Sequence, residues 1–273
     1  MGQAATKAKE AHAQAKSKPK NNSHVQKQKI QTARSTGMLA LPERKLRRVP
    51  SEVLELTQLR TLDLSQNRLE EVPVQLSALT ALKTLKLQSN ALTMLPDLSS
   101  LTALTTLVLD NNQISALPNA LPPNLTKLSL KGNRLTSLPP SVLALTQLQE
   151  LDLSQNELSS LTDNVSSLAS LVELTLDQNR LTSLPSALAE CPRLKVLSAR
   201  QNQLRGRATP QSIAVALLAS SKVQILNLDG NPMTKIDLEA MEGVDAFLER
   251  RTQLKNKEIH GGLNTDTSLC GLD

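Results

Sequence analysis

The residue whose setting most directly implies covalent chemistry is Gly2. The opening Met1-Gly2-Gln3-Ala4-Ala5-Thr6 fits the pattern in which removal of Met frees a glycine amine to accept a myristoyl chain. Lys7, Lys9, Lys16, Lys18 and Lys20 follow it. One myristoyl chain holds a protein to a bilayer only marginally and reversibly. Each lysine near an anionic leaflet adds about 1 kcal/mol, so this run supplies the second signal that stable attachment needs. The pattern therefore predicts lipidation at Gly2, with these lysines as membrane contacts. Ser17 and Ser23 lie among or beside them, where phosphorylation would weaken the attraction. The same residues also allow a solvated basic tail with no lipid.

Other reactive side chains do not form a constellation. His12, His24 and His260 are scattered, with no cysteine or carboxylate at metal-ligand spacing. No glycine loop of the phosphate-cradling type is present. Cys270-Gly271-Leu272-Asp273 puts a cysteine fourth from the end, but without the aliphatic residues of a prenylation box. Cys191 and Cys270 are the only cysteines, and no cysteine cluster marks either end of the repeats, so a reducing, intracellular setting is expected. Asn124-Leu125-Thr126 and Asn164-Val165-Ser166 match the glycan acceptor pattern, which has no bearing without export. No apolar run resembles a signal peptide or a membrane span. The expectation is a non-enzyme without metal, cofactor or small-molecule substrate.

Charge separates a tail from a domain. Residues 1–35 carry seven lysines and one arginine against one glutamate, whereas the whole chain has a net charge of +6. The remainder is thus close to neutral. The tail lacks aromatics for base stacking, and no basic face is expected behind it to continue a phosphate track, so nucleic acid is not an expected partner.

The element that must position any site is a repeat. Asn67, Asn90, Asn112, Asn133, Asn156, Asn179, Asn202 and Asn231 recur at steps of 21 to 23 residues, with a last step of 29. Each ends the frame L-x-x-L-x-L-x-x-N-x-[LIM], as in Leu59, Leu62, Leu64, Asn67 and Leu69. A period in the twenties with this frame resembles a leucine-rich-repeat solenoid. The fold class expected is therefore α/β: a horseshoe with a parallel concave β-sheet, short convex turns or helices, and helical caps at both ends. The leucines fill the core, and the asparagine column is structural, bonding neighbouring backbone where the chain leaves each strand. The first repeat is degenerate, with Arg44 in the Asn position.

The expected organisation is a disordered basic tail over residues 1–22 and a capping helix over 23–36, with Ser23 as its cap and Gly37 as its stop. A solenoid of about nine repeats follows over 37–236, then a helical cap over 237–257 and a flexible tail over 258–273. The long last step implies a full convex helix over residues 212–220.

The "L-P" convex segment, as in Leu138-Pro139, resembles the Ras-group class of intracellular leucine-rich-repeat proteins. The ends are similar to the leucine-rich repeat-containing protein 57 family. The residues that carry this likeness are Met1-Gly2, Thr36-Gly37-Met38-Leu39, Glu190-Cys191-Pro192-Arg193, Asp229-Gly230-Asn231 and residues 238–252. That resemblance implies the fold and membrane attachment more than any activity. It also implies a closing helix from Val244 to Lys255, with Phe247, Leu248 and Leu254 covering the last leucines.

The concave face supplies the candidate partner site. Alternation places Asp63, Lys86, Val108, Ser129, Asp152, Thr175, Ser198 and Asn227 in one outward column. Ser65, Gln88, Asp110, Lys131, Ser154, Asp177, Arg200 and Asp229 form the next. Adding Lys127, Glu150 and Glu173 predicts a basic patch at the middle repeats (Lys86, Lys127, Lys131) beside an acidic patch (Glu150, Asp152, Glu173, Asp177), with Arg200 beyond. No aromatic anchor is available, so weak or multivalent protein binding is expected. The leading expectation is a signalling adaptor, peripheral at the cytoplasmic face of a membrane, whose concave face binds a protein partner. The alternative is a soluble regulatory subunit of a phosphatase or ubiquitin ligase, without the lipid.

Overall fold

The computed structural model describes residues 20–206, 212–259 and 270–272. Nine strands of three residues each form one parallel sheet in sequence order. They are β1 (Met38–Ala40), β2 (Thr61–Asp63), β3 (Thr84–Lys86), β4 (Thr106–Val108) and β5 (Lys127–Ser129), followed by β6 (Glu150–Asp152), β7 (Glu173–Thr175), β8 (Val196–Ser198) and β9 (Ile225–Asn227). The central leucine of each strand pairs with that of the next, from Leu39 with Leu62 through to Leu197 with Leu226. With a side-chain period of two, that register turns all the central leucines inward and both flanking columns outward. In a typical repeat Leu59, Leu62, Leu64 and Leu69 are fully buried. One leucine shelf on another gives a continuous core with almost no need for rings.

The turn out of each strand explains the asparagine column. Gln66, Ser89, Asn111, Gly132, Gln155, Gln178, Gln201 and Gly230, each just before a column Asn, have positive φ. This left-handed kink costs a non-glycine residue roughly 1–2 kcal/mol, and it leaves peptide groups without a regular ladder. The Asn amide serves them. Asn156 Nδ2 donates to the carbonyls of Leu130 (2.9 Å), Leu153 (3.0 Å) and Ser154 (3.2 Å), while its Oδ1 accepts the Leu135 N–H at 3.0 Å. The other column members bond in the same way, and Asn67 Oδ1 accepts from both Arg44 and Leu46 in the degenerate first repeat. Gly132 also fits by size, because a Cβ there would stand 2.6 Å from Asn111 Oδ1.

On the convex side, proline opens most turns. Pro50, Pro73, Pro139 and Pro185 precede helical turns at Ser51–Leu54, Val74–Ala78, Pro140–Leu143 and Ser186–Glu190. Its fixed φ sets the entry angle, and Val53, Leu76, Val142 and Leu188 then drop into the core. The helix expected over 212–220 is confined to Val215–Ala219. Ile213 is instead extended and bridges to Leu184 in the preceding repeat, so neighbour pairing overrides local helix preference there.

Helix α1 (Lys20–Thr36) covers the first repeat with Ile30 and Ala33. It begins three residues earlier than expected, so Ser23 is inside the helix rather than at its cap, and Lys20 belongs to the helix rather than to the tail. Gly37 ends it at φ +68°, its N–H bonding Ala33 O at 2.9 Å. At the other end a short helical turn, Lys235–Glu239, is held by a Thr234–Asp237 capping box. Helix α2 (Val244–Ile259) follows and runs past the expected limit at residue 257. Phe247 is its buried anchor and Leu248 packs against the core. The Leu254 side chain lies outside the described residues.

The expectation of a flexible terminal tail is corrected at Cys270–Leu272. Cys270 and Leu272 are buried, and Cys270 O accepts the Leu228 N–H at 2.8 Å. In every earlier repeat the corresponding N–H bonds the third residue of the next strand, as Leu64 N–H bonds Lys86 O at 2.9 Å. The terminal segment thus supplies the acceptor that a tenth strand would have offered.

Candidate protein-binding face

The concave sheet brings four carboxylates and one lysine around a groove of about 290 Å³ over β4 to β7. Lys127, Glu150 and Glu173 are register partners on consecutive strands, as are Ser129, Asp152 and Thr175 on the other side of the central leucines. Strand spacing alone therefore holds these groups one ladder step apart. Lys127 Nζ forms an ion pair with Glu150. That hydrogen bond, above all, raises the Lys127 pKa, with Glu173 and Asp110 adding to it. The basic patch expected here is consequently not a separate patch: Lys127 stands within the acidic cluster.

Asp110 is the fourth carboxylate and did not figure among the expected contact residues. It accepts from Ser129 Oγ at 2.5 Å and from the Lys131 N–H at 3.2 Å. Burial pushes its pKa up, against those bonds, and the nearby Asp152 adds to the rise. Asp177 repeats the same local arrangement, accepting from Ser198 Oγ at 2.7 Å and the Arg200 N–H at 2.9 Å. An Asp two residues beyond one strand, with Ser at the third position of the next, is the sequence signal for both. Asp152 turns back on its own repeat, accepting from Ser154 N–H at 2.9 Å and Oγ at 2.6 Å. Glu173 is exposed and has no ion-pair partner among the described residues.

The groove thus gathers Lys127, Glu150, Asp152 and Glu173 of the expected residues and adds Asp110. Lys86, Lys131, Asp177 and Arg200 lie outside its lining. Gly2, Lys7, Lys9, Lys16 and Lys18 lie outside the described residues. The expected lack of any basic face is also revised. A second cleft, at the C-terminal flank, is lined by Arg193, Lys195, Lys222 and Arg250. Among the described residues no group of three or more His, Cys, Asp or Glu side chains could hold a metal. No described helix is long and apolar enough to cross a membrane.

The leucine-rich-repeat family profile matches residues 38–92, 57–114 and 123–181, within the span over which the sheet repeats. The chain is a leucine-rich-repeat protein. Solved structures extend the match. A leucine-rich-repeat protein of Leptospira interrogans is 30% identical, with a TM-score of 0.59 over 74% of this chain and 56% of its own. The repeat ectodomain of a plant membrane receptor kinase from Arabidopsis thaliana, solved in complex with Casparian strip integrity factor 2, is 28% identical. Its TM-score is 0.57, over 68% of this chain and 23% of the ectodomain chain. An internalin from Listeria monocytogenes, at 22% identity, shares the fold with a TM-score of 0.60 over 80% of this chain and 66% of its own. This leucine-rich-repeat protein therefore spans little more than half of the first of these chains and under a quarter of the second. No curated protein matches it in sequence. Domains of this family generally mediate protein–protein interaction, and their fold is typically a non-catalytic binding scaffold.

Proposed function

We propose that this protein is a non-catalytic adaptor that docks a basic segment of a protein partner in the concave groove over β4 to β7. The observation that carries the reading is the convergence of Asp110, Glu150, Asp152 and Glu173 on one groove with a single lysine. A partner's lysine or arginine side chain entering there would meet Glu173 and the outer carboxylate oxygens, and would compete with Lys127 for Glu150. Charge complementarity of this kind mainly sets orientation and on-rate. With no ring on the face, affinity is modest and gains from a second point of attachment.

The amino-terminal segment supplies that second point in our reading. Myristoylation of Gly2, together with Lys7, Lys9, Lys16, Lys18 and Lys20, holds the protein at the anionic cytoplasmic leaflet, where the partner is recruited for signalling. The likeness of the ends to the protein 57 family supports the lipid. The test is mass spectrometry of the protein isolated from its native cells, with membrane partition of a Gly2→Ala variant. A myristoyl adduct and loss of the membrane fraction in the variant are expected. An unmodified Gly2, or unchanged partition, refutes the tether and leaves a soluble regulatory subunit.

A further inference from the structure

Opposite in sign to the concave groove, a cleft of about 540 Å³ opens between the loops entering β8 and β9 and the flank of α2. Arg193, Lys195, Lys222 and Arg250 line it, with the amides of Gln224 and Gln253, and no carboxylate does. The repeat register builds it. Lys195 O accepts the N–H groups of Gln224 (2.9 Å) and Ile225 (3.0 Å), which puts Lys195 and Gln224 in one flank column immediately before β8 and β9. Arg250 reaches in from the cap and is fixed by three carbonyls, those of Val223 (3.3 Å), Ala219 (3.2 Å) and Leu218 (2.5 Å). Two of its five N–H donors have no acceptor among the described residues.

Those carbonyls position the guanidinium without neutralising it, and burial lowers its pKa as expected for a cation lacking a counter-charge. Three ion pairs occur among the described residues, Arg34–Glu55, Lys127–Glu150 and Arg180–Glu157, and none of them involves a cation of this cleft. Arg193, Lys195 and Lys222 have no carboxylate partner among the described residues. Converging like charges repel, and a bound anion carrying two charges and several acceptor oxygens relieves that repulsion.

We propose that this cleft is a binding site for a phosphomonoester dianion, held by Arg193, Lys195 and Lys222 around the fixed Arg250 guanidinium. The inference is independent of the concave groove and of Gly2. The test titrates the full, isotope-labelled chain with inorganic phosphate and follows the side-chain amides of Gln224 and Gln253. Saturable shifts are expected in the native protein. Combining Arg193→Gln, Lys195→Gln and Lys222→Gln, all at exposed positions, should weaken them about tenfold or more. A Lys195→Gln, Lys222→Gln variant serves if the triple variant does not fold. Absent or non-saturable shifts, or shifts equal in the variant, overturn the proposal. Sedimentation with phosphatidylcholine vesicles containing a phosphatidylinositol phosphate, against vesicles of matched phosphatidylserine charge, then identifies the source. Loss of phosphoinositide-specific binding in the variant marks a lipid headgroup. Unchanged vesicle binding with lost phosphate binding marks a soluble phosphomonoester.

Discussion

Asn156→Ala should unfold this protein more readily by about 2–4 kcal/mol, and the hydrogen bonds say why the figure is neither smaller nor larger. Three carbonyls lose a donor, but each keeps another. Leu130 O retains Asn133 Nδ2, Leu153 O retains Asn179 Nδ2, and Ser154 O retains the Gly132 N–H. Among the described residues the Leu135 N–H has only Asn156 Oδ1, and Leu135 is buried. An orphaned buried donor costs about 1–3 kcal/mol, and the lost bonds add about 1 kcal/mol together. Asn156→Asp sharpens the argument. It restores an acceptor for Leu135 but turns a second oxygen on three carbonyls, so it should destabilise at least as much. Exposed Asn119 is the control, where Ala should change stability by less than about 0.5 kcal/mol. The chain has no Trp or Tyr, so the assay is urea unfolding followed by far-UV circular dichroism. A loss at Asn156→Ala no larger than at Asn119→Ala would refute the structural role of the column.

Three further outcomes follow from the same geometry. Asp110 has a raised pKa when folded, so the folded state holds its proton to higher pH and this group's contribution falls as pH rises through that window. Asp110→Asn keeps an acceptor for Ser129 and Lys131, so thermal scans should show it no less stable at pH 7, with the advantage gone below pH ~4. Burial lifts the Cys191 thiol to about 11 and the Cys270 thiol to about 12, so both should resist alkylation at pH ~8 in the folded chain. Leu272→Asp should release Cys270 to the reagent while Cys191 stays protected; equal labelling of the two contradicts the docked terminus. Phe247→Ala removes the only phenylalanine of the chain from under the last repeat and should cost about 3–5 kcal/mol. Hydrogen exchange should rise most at β9 and the neighbouring Val215–Ala219 helix.

The fold was legible because the period of the sequence is the period of the structure. In each repeat the first leucine of the L-x-L step sits at the centre of a three-residue strand, and even in the degenerate Leu39-Ala40-Leu41 it is Leu39 that lies in register with Leu62. What escaped was set by partners far along the chain. Ile213 left its helix for a bridge to Leu184, and Cys270 found the edge of β9 across an intervening cap. Neither contact has a local signature. For the groove, the columns were readable from alternation, but membership was not. Asp110 lines it, whereas Asp177, in the same column and with the same bonding to the following strand, lies outside the lining. The cationic cleft was invisible for the same reason: Arg250 reaches it only once α2 has packed.

The most direct test of the docking face is quantitative comparison of the proteins captured by the native chain and by a Glu150→Lys, Asp152→Lys variant. Both side chains are at least partly exposed on the sheet, so the variant should keep the native circular dichroism spectrum, with the unfolding midpoint lowered by the loss of the Asp152–Ser154 bonds. The account predicts that salt-sensitive partners with basic segments are lost from the variant and retained by a charge reversal at convex Glu52. An unchanged set of captured partners in the folded variant would contradict it.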